Sequence, residues 1–268
     1  MRSKIEARST LSRRVPRSSL PFVFLNVAIA ADGKLAPASR VFQPFGSKRD
    51  QELLMHLRTG ADAVMAGART VDLFPANLGP GPKRFRKMRL ERGLAEYNLR
   101  VVVSGAGTLN PDAEIFRHRF SPIIVLTTGR ISKRRLARLR AVADAVEIFG
   151  GEQLDFVKAL RWLRQEWNVK RLLCEGGGEI NDALFQAKLV DEIYVTLCPL
   201  IFGGRHAPTL ADGQGAEKLS EAASLVLKSN RRFGDEVFLV YRVRYLKADP
   251  AGGSFPNATF GCDLLGRH

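Results

Sequence analysis

The chain has 268 residues, 45% of them hydrophobic, which is ample for a packed core and excludes a disordered or fibrous protein. Its 42 Lys and Arg face 27 Asp and Glu, a net charge of +15, and its 3 cysteines make neither a disulfide framework nor a metal quartet. No apolar run approaches the ~20 residues that a membrane span needs, so a soluble protein of a reducing, cytoplasmic compartment is expected.

Residues 1–20 are basic, rich in Ser and Arg and poor in acid, which suits a disordered extension or an organelle-targeting peptide. The apolar run of residues 22–29 after Pro21 predicts a central buried strand. Asn26 interrupts it, either as a hydrogen-bonded core amide or as a group lining a cleft. Asp32-Gly33 predicts a turn in which Gly takes the positive φ. Ser47-Lys48-Arg49-Asp50 carries a capping-box pattern, and Leu53, Leu54 and Leu57 give the helix behind it an apolar face. Residues 62–66 predict a short strand, and residues 67–70 a strand-to-helix turn.

Residues 80–98 are basic and punctuated by Pro and Gly, and predict a long functional or mobile loop. Residues 100–103 and 123–126 predict strands. Gly105 opens a Gly-x-Gly turn after the first, a weak phosphate-turn signal on its own. Thr127, Thr128 and Arg130 put two hydroxyls and a guanidinium after the second. A helix over 131–140, a strand over 145–149 and an amphipathic helix over 154–167, with Phe156, Val157, Leu160 and Leu163 inward, follow. The chain ends in an antiparallel pair, residues 225–227 and 237–245, turning at Phe233-Gly234-Asp235, and then a tail whose composition predicts disorder over 247–268.

The most informative stretch is Leu172-Leu173-Cys174-Glu175-Gly176-Gly177-Gly178-Glu179-Ile180-Asn181. It predicts a strand, a glycine turn and a helix. Side-chain-less residues let backbone approach a ligand closely, and a helix starting there aims unsatisfied amides and a partial positive charge at whatever lies above, which favours phosphate. Gly176, Gly177, Gly178, Ile180 and Asn181 are the candidate phosphate-holding residues. The plainer alternative is a glycine linker between strand and helix.

This stretch, followed by Leu189-Val190-Asp191-Glu192, a strand, and Pro199-Leu200-Ile201-Phe202-Gly203-Gly204, resembles the reductase domain of riboflavin biosynthesis. Leu57-Arg58-Thr59-Gly60-Ala61-Asp62-Ala63 and Gly67-Ala68-Arg69-Thr70 resemble the same family nearly position for position. The resemblance runs from about Pro21 to about Val243. It implies a single reductase domain over 21–246 with an α/β, dihydrofolate-reductase-like fold: a mixed, mostly parallel sheet flanked by helices, closed by an antiparallel hairpin. It implies NADPH as cofactor and a ribosylamino-pyrimidinone 5′-phosphate, reduced to its ribityl form, as substrate. By the same resemblance Thr70 contacts the cofactor, Arg58 and Glu175 the substrate, and Glu175 and Asp32 are catalytic candidates, Asp32 as a proton relay. Gly105 joins the cofactor residues, and Thr127, Thr128 and Arg130 suit a 2′-phosphate. The family's Leu-Thr-x-Arg has no counterpart after Thr70, and Lys83, Arg84 or Arg86 stand in as candidate substrate-phosphate holders. Family members are commonly homodimers, for which the residues 194–202 are an apolar candidate surface. No deaminase zinc signature occurs, and no metal is expected.

Two other readings remain. A reductase on the same fold acting on a different small substrate is favoured by the missing Arg and by Ala30, where the family usually has Ser. A basic nucleic-acid-binding protein is disfavoured, because the charge is split among residues 2–17, 83–92 and 133–140 with no interleaved aromatics.

Overall fold

A computed structural model describes residues 16–245, apart from 42, 74 and 75. The extension through residue 15, the tail over 247–268 and Cys262 lie outside the described residues. In chain order the elements are β1 (Phe22–Ala30), α1 (Lys48–Arg58), β2 (Ala63–Gly67), α2 (Ala68–Leu73), α3 (Lys83–Glu91), β3 (Leu99–Val103), α4 (Glu114–Arg117), β4 (Ile123–Thr127), α5 (Lys133–Arg140), β5 (Ala145–Ile148), α6 (Phe156–Glu166), β6 (Arg171–Cys174), α7 (Gly178–Gln186), β7 (Val190–Cys198), β8 (Ala223–Phe233) and β9 (Glu236–Tyr245).

Among the described residues the strands form one sheet in the order β5-β4-β3-β2-β6-β1-β7-β9-β8. All pairings from β5 to β7 are parallel, and β9 and β8 close the sheet antiparallel. This is the mixed, mostly parallel sheet expected. The strands alternate between two cores, as a pleat requires. Val23, Leu25 and Val27 of β1 join Phe156, Leu160 and Leu163 of α6 and Leu184 of α7 on one face. Phe24 joins Leu57 of α1, Val71 of α2 and Leu139 of α5 on the other. Insertion of β6 between β1 and β2 places its carboxyl end, and the glycine turn, between the turns that leave those two strands. Parallel α/β sheets bind ligands at such a switch point.

Four expectations need correction. Residues 80–98 are not a loop: α3 occupies Lys83–Glu91, with Phe85 and Arg89 buried. The run between Pro82 and Gly93, Lys, Arg, Met and Leu with one Phe and one Glu and no Gly or Pro, is helix-forming, and a basic helix still has one face to bury. The basic extension docks from residue 16, not 21: Arg17 pairs with Asp191 and donates to Leu189 O at 3.1 Å. The capping box at Ser47 is completed from elsewhere. Ser47 Oγ accepts from the amides of Arg49 and Asp50, but its own N–H donates to Glu236 Oε1 of β9 at 2.7 Å, not to Asp50. Finally, β7 runs between β1 and β9, so of residues 194–202 only Leu200 and Ile201 present large exposed apolar side chains. No helix among the described residues is long and apolar enough to cross a membrane.

Candidate functional site

Four turns line one edge of the sheet. Pairing of Met65 with Cys174, Gly67 with Val103 and Val103 with Leu126 sets the ends of β6, β2, β3 and β4 side by side. The turns at 175–178, 67–70, 104–107 and 127–130 follow in that order. Ile180 locks the first two together, its Cδ1 lying 3.1 Å from where a Cβ of Gly67 would stand and 3.2 Å from that of Gly176.

The triple glycine answers to space, not to backbone angle. None of Gly176, Gly177 and Gly178 has a positive φ. A Cβ on Gly178 would stand 2.5 Å from Thr209 O and 2.8 Å from the Asp212 carboxyl carbon, whereas at Gly177 nothing lies within 4 Å. Gly178 therefore admits the segment around 209–212, and Gly177 leaves open space. Gly33, by contrast, takes the expected positive φ of 78°.

Gly177 is the N-cap of α7, and no protein acceptor meets the N–H groups of Gly177, Gly178 or Glu179 among the described residues. Free donors at a nine-residue helix start, under open space, fit a diphosphate. Burial pushes the Cys174 thiol, which ends the strand before this turn, up to about 12, so it is a packed, unreactive group. Asn181 faces inward. Its side chain is 0% exposed, its Nδ2 donates to Leu210 O at 2.8 Å, and its N–H returns to Gly177 O. Ile180 likewise spends its N–H on Gly177 O and offers only its apolar side chain.

Arg58 and Glu175 are brought together. Arg58, at the C-terminus of α1, donates Nε to Oε1 at 2.7 Å and Nη2 to Oε2 at 2.6 Å of Glu175, and Nη1 to Gly79 O at 2.6 Å. Both side chains are about nine-tenths buried. Leu25 pairs with Cys174, so Asn26 and Glu175, next along, are neighbours on one face of the sheet. Asn26 Oδ1 is buried and has no hydrogen-bond partner among the described residues, so it is not the satisfied core amide. Thr70 is half-buried on α2, its hydroxyl bonded to no described group.

Other candidates are engaged elsewhere. Asp32 accepts the N–H groups of Gly203 at 2.7 Å and Phe202 at 3.4 Å. Desolvation opposes its ionisation, but these amides and Lys34 outweigh it and hold its pKa below the usual carboxylate value. Thr127 and Thr128 do not offer their hydroxyls: both donate to Gly105 O, at 3.0 and 2.8 Å, beside the Thr128 N–H, which donates to the same carbonyl at 3.1 Å. Beyond Gly105 itself there is open space. Arg84 and Arg86 pair with Glu52 and Glu96, so α3 turns them to solvent-side partners.

Sequence reasoning passed over Asp212. Its carboxylate accepts the Thr209 N–H and hydroxyl, and its N–H donates to Gly178 O at 2.9 Å, holding the segment after β7 against the start of α7. Thr-Leu-Ala-Asp is a turn pattern, but nothing local tells which glycine it will reach.

The chain is 31% identical over 224 residues to a protein of Methanothermobacter thermautotrophicus named 2,5-diamino-6-ribosylamino-4(3H)-pyrimidinone 5′-phosphate reductase, covering 84% of this chain and 99% of the relative. A protein of the same name from Archaeoglobus fulgidus is 30% identical, over 79% of this chain and 99% of the relative. A crystal structure of a pyrimidine reductase-like protein from Corynebacterium diphtheriae superposes with a TM-score of 0.69 at 22% identity, covering 86% of this chain and 96% of the other, which shows a shared fold. Residues 21–239 match the RibD C-terminal domain, and on this match and the end-to-end likeness to the archaeal reductases the chain belongs to that family.

Proposed function

We propose that this protein reduces the ribosyl side chain of 2,5-diamino-6-ribosylamino-4(3H)-pyrimidinone 5′-phosphate to a ribityl chain with NADPH, in riboflavin biosynthesis. One observation carries the reading: the Methanothermobacter reductase named for this substrate is matched over 99% of its length. The free amides at 177–179 support it, since the family's chemistry takes a nicotinamide cofactor and these donors suit its pyrophosphate.

In this reaction the sugar's C1–ring-oxygen bond breaks, C1 gains a hydride and the oxygen a proton. NADPH, when bound, supplies the hydride. The protein's part is to bind, align and exclude water. Gly177, Gly178 and Glu179 donate amides to the diphosphate, Thr70 and Gly105 border the cofactor along the sheet edge, and Asn26 offers an acceptor to the pyrimidinone. The Arg58–Glu175 pair ties Gly79 to the end of β6, and presents the outer face of Glu175 to the substrate. Asp32 acts by holding the 202–203 backbone, a positioning residue more than a proton relay. We further place the enzyme in the cytoplasm, whose reducing conditions suit the buried free thiols of Cys174 and Cys198, and expect a homodimer using Leu200, Ile201 and the exposed Leu225 and Leu227 of β8.

The test is a fluorescence titration with NADPH followed by turnover of the synthetic substrate at 340 nm. Saturable micromolar binding with turnover is expected. Binding without turnover would replace this substrate with another on the same fold, and absence of binding would remove the reductase reading altogether.

A further inference from the structure

Past the Gly105 turn, residues 107–111 and α5 enclose a shallow cavity of about 300 Å³ into which Arg134, Arg135 and Arg138 project. Spacings of three and four residues put Arg134 and Arg135 on the same helix face as Arg138, so three guanidinium groups repel one another there. Their neighbours are differently placed: Arg119 and Arg130 stand 3.9 and 3.8 Å from Asp144 and Glu152. Arg134, Arg135 and Arg138 meet no carboxylate among the described residues, and the one polar contact of the three is Arg135 Nη1 to Ala106 O at 3.3 Å.

The opposite wall is braced. Gly107 has φ 64°, and a Cβ on it would stand 2.4 Å from Ile131 Cδ1, so the wall lies tight against the connection from β4 to α5. Asp72 of α2 fixes the wall's far end by accepting the Asn110 N–H at 3.0 Å. A braced concave surface with concentrated, uncompensated positive charge suits a dianion, and guanidinium forks bind phosphate oxygens two at a time.

The position along the sheet edge says which dianion. The turns run in order from the triple glycine to 67–70, to 104–107 and into this cavity, and Ala106 is both part of the Gly105 turn and the acceptor for Arg135. The hydroxyls that the sequence offers for this task, those of Thr127 and Thr128, are consumed by Gly105 O. We propose that Arg134, Arg135 and Arg138 bind the phosphomonoester on the adenosine ribose of the cofactor and so make this enzyme prefer NADPH to NADH. The inference rests on the reading that the chain binds a nicotinamide dinucleotide.

The test is isothermal titration of the full chain and of the Arg134→Ala/Arg138→Ala variant with NADPH, NADH, 2′,5′-ADP, 5′-AMP and inorganic phosphate. Both arginines are exposed and Ala favours helix, so the variant folds; its circular dichroism spectrum and thermal midpoint should match those of the parent. The parent should bind NADPH at least ten-fold tighter than NADH, and 2′,5′-ADP tighter than 5′-AMP by a similar factor. The variant should lose that factor on NADPH and 2′,5′-ADP while NADH affinity stays within two-fold. Unchanged preference in the variant, equal loss on NADH, or inorganic phosphate competing as well as 2′,5′-ADP would each overturn the proposal. A parent that binds both dinucleotides equally would overturn it and leave the reductase reading intact, whereas a parent that binds neither would fail that reading itself.

Discussion

Arg58 and Glu175, 117 residues apart in sequence, form a two-pronged ion pair at 2.7 and 2.6 Å that ties the end of α1 to the end of β6. Removing one partner leaves the other's charge buried. Arg58→Met should cost about 3–5 kcal/mol, and Arg58→Met with Glu175→Leu should recover much of that loss by removing both charges. Urea denaturation of the two variants checks this; a loss below about 1 kcal/mol in the single variant would show that Glu175 finds water or another donor.

Adjacent glycines should respond in opposite ways. Gly177→Ala adds a methyl where nothing lies within 4 Å and should leave both stability and cofactor affinity nearly unchanged. Gly178→Ala drives a Cβ to 2.5 Å from Thr209 O and should cost about 1–3 kcal/mol. Gly177→Asp should fold normally and bind NADPH roughly ten- to a hundred-fold more weakly, because a carboxylate then faces the phosphates. Thermal melts and NADPH titration separate the three, and full affinity in Gly177→Asp would place the diphosphate elsewhere.

Asp50 makes stability depend on pH. Burial, together with the nearby Glu236, raises its folded-state pKa, and its Oδ1 and the Thr196 hydroxyl are both buried without a hydrogen-bond partner among the described residues. A raised carboxyl pKa means that the folded state holds its proton longer than the unfolded state, so stability falls as pH rises from the unfolded value of 3.8 through the folded one. Asp50→Asn should therefore be more stable than the parent at pH 7, with the gain shrinking as pH drops toward about 4. Urea midpoints at the two pH values test it; a gain that does not change with pH would assign it to packing.

Arg89 works as a buried clamp. It is 1% exposed, desolvation lowers its pKa to about 10, and it donates to Arg58 O and Ala61 O at 2.6 Å and to Ala95 O at 2.9 Å. Arg89→Met removes all three bonds, leaves the Ala61 and Ala95 carbonyls without their donor and should cost about 2–4 kcal/mol. Arg89→Lys should recover only part, since one ammonium on a flexible stem cannot span carbonyls on two sides as the planar fork does. Equal stability of the Lys variant and the parent, by chemical denaturation, would refute the clamp.

The order of strands and helices was legible in the sequence because each strand core is a short apolar run and each helix has its own periodic face, both local properties of side chains. The triple glycine announced a strand-turn-helix unit for the same reason. Local composition misled at residues 83–91, where a basic run read as a loop folds as α3 because Phe85 and Arg89 find a buried face that only the folded chain supplies. The site divided in the same way. Arg58, Glu175 and Gly177 could be named in advance, but that Arg58 is spent on Glu175, Asn181 on Leu210, Asp32 on the 202–203 amides and the two threonines on Gly105 depends on partners distant in the chain. A polar group's availability is decided by its nearest acceptor in space, and insertion of β6 between β1 and β2, which no local pattern encodes, sets those neighbours.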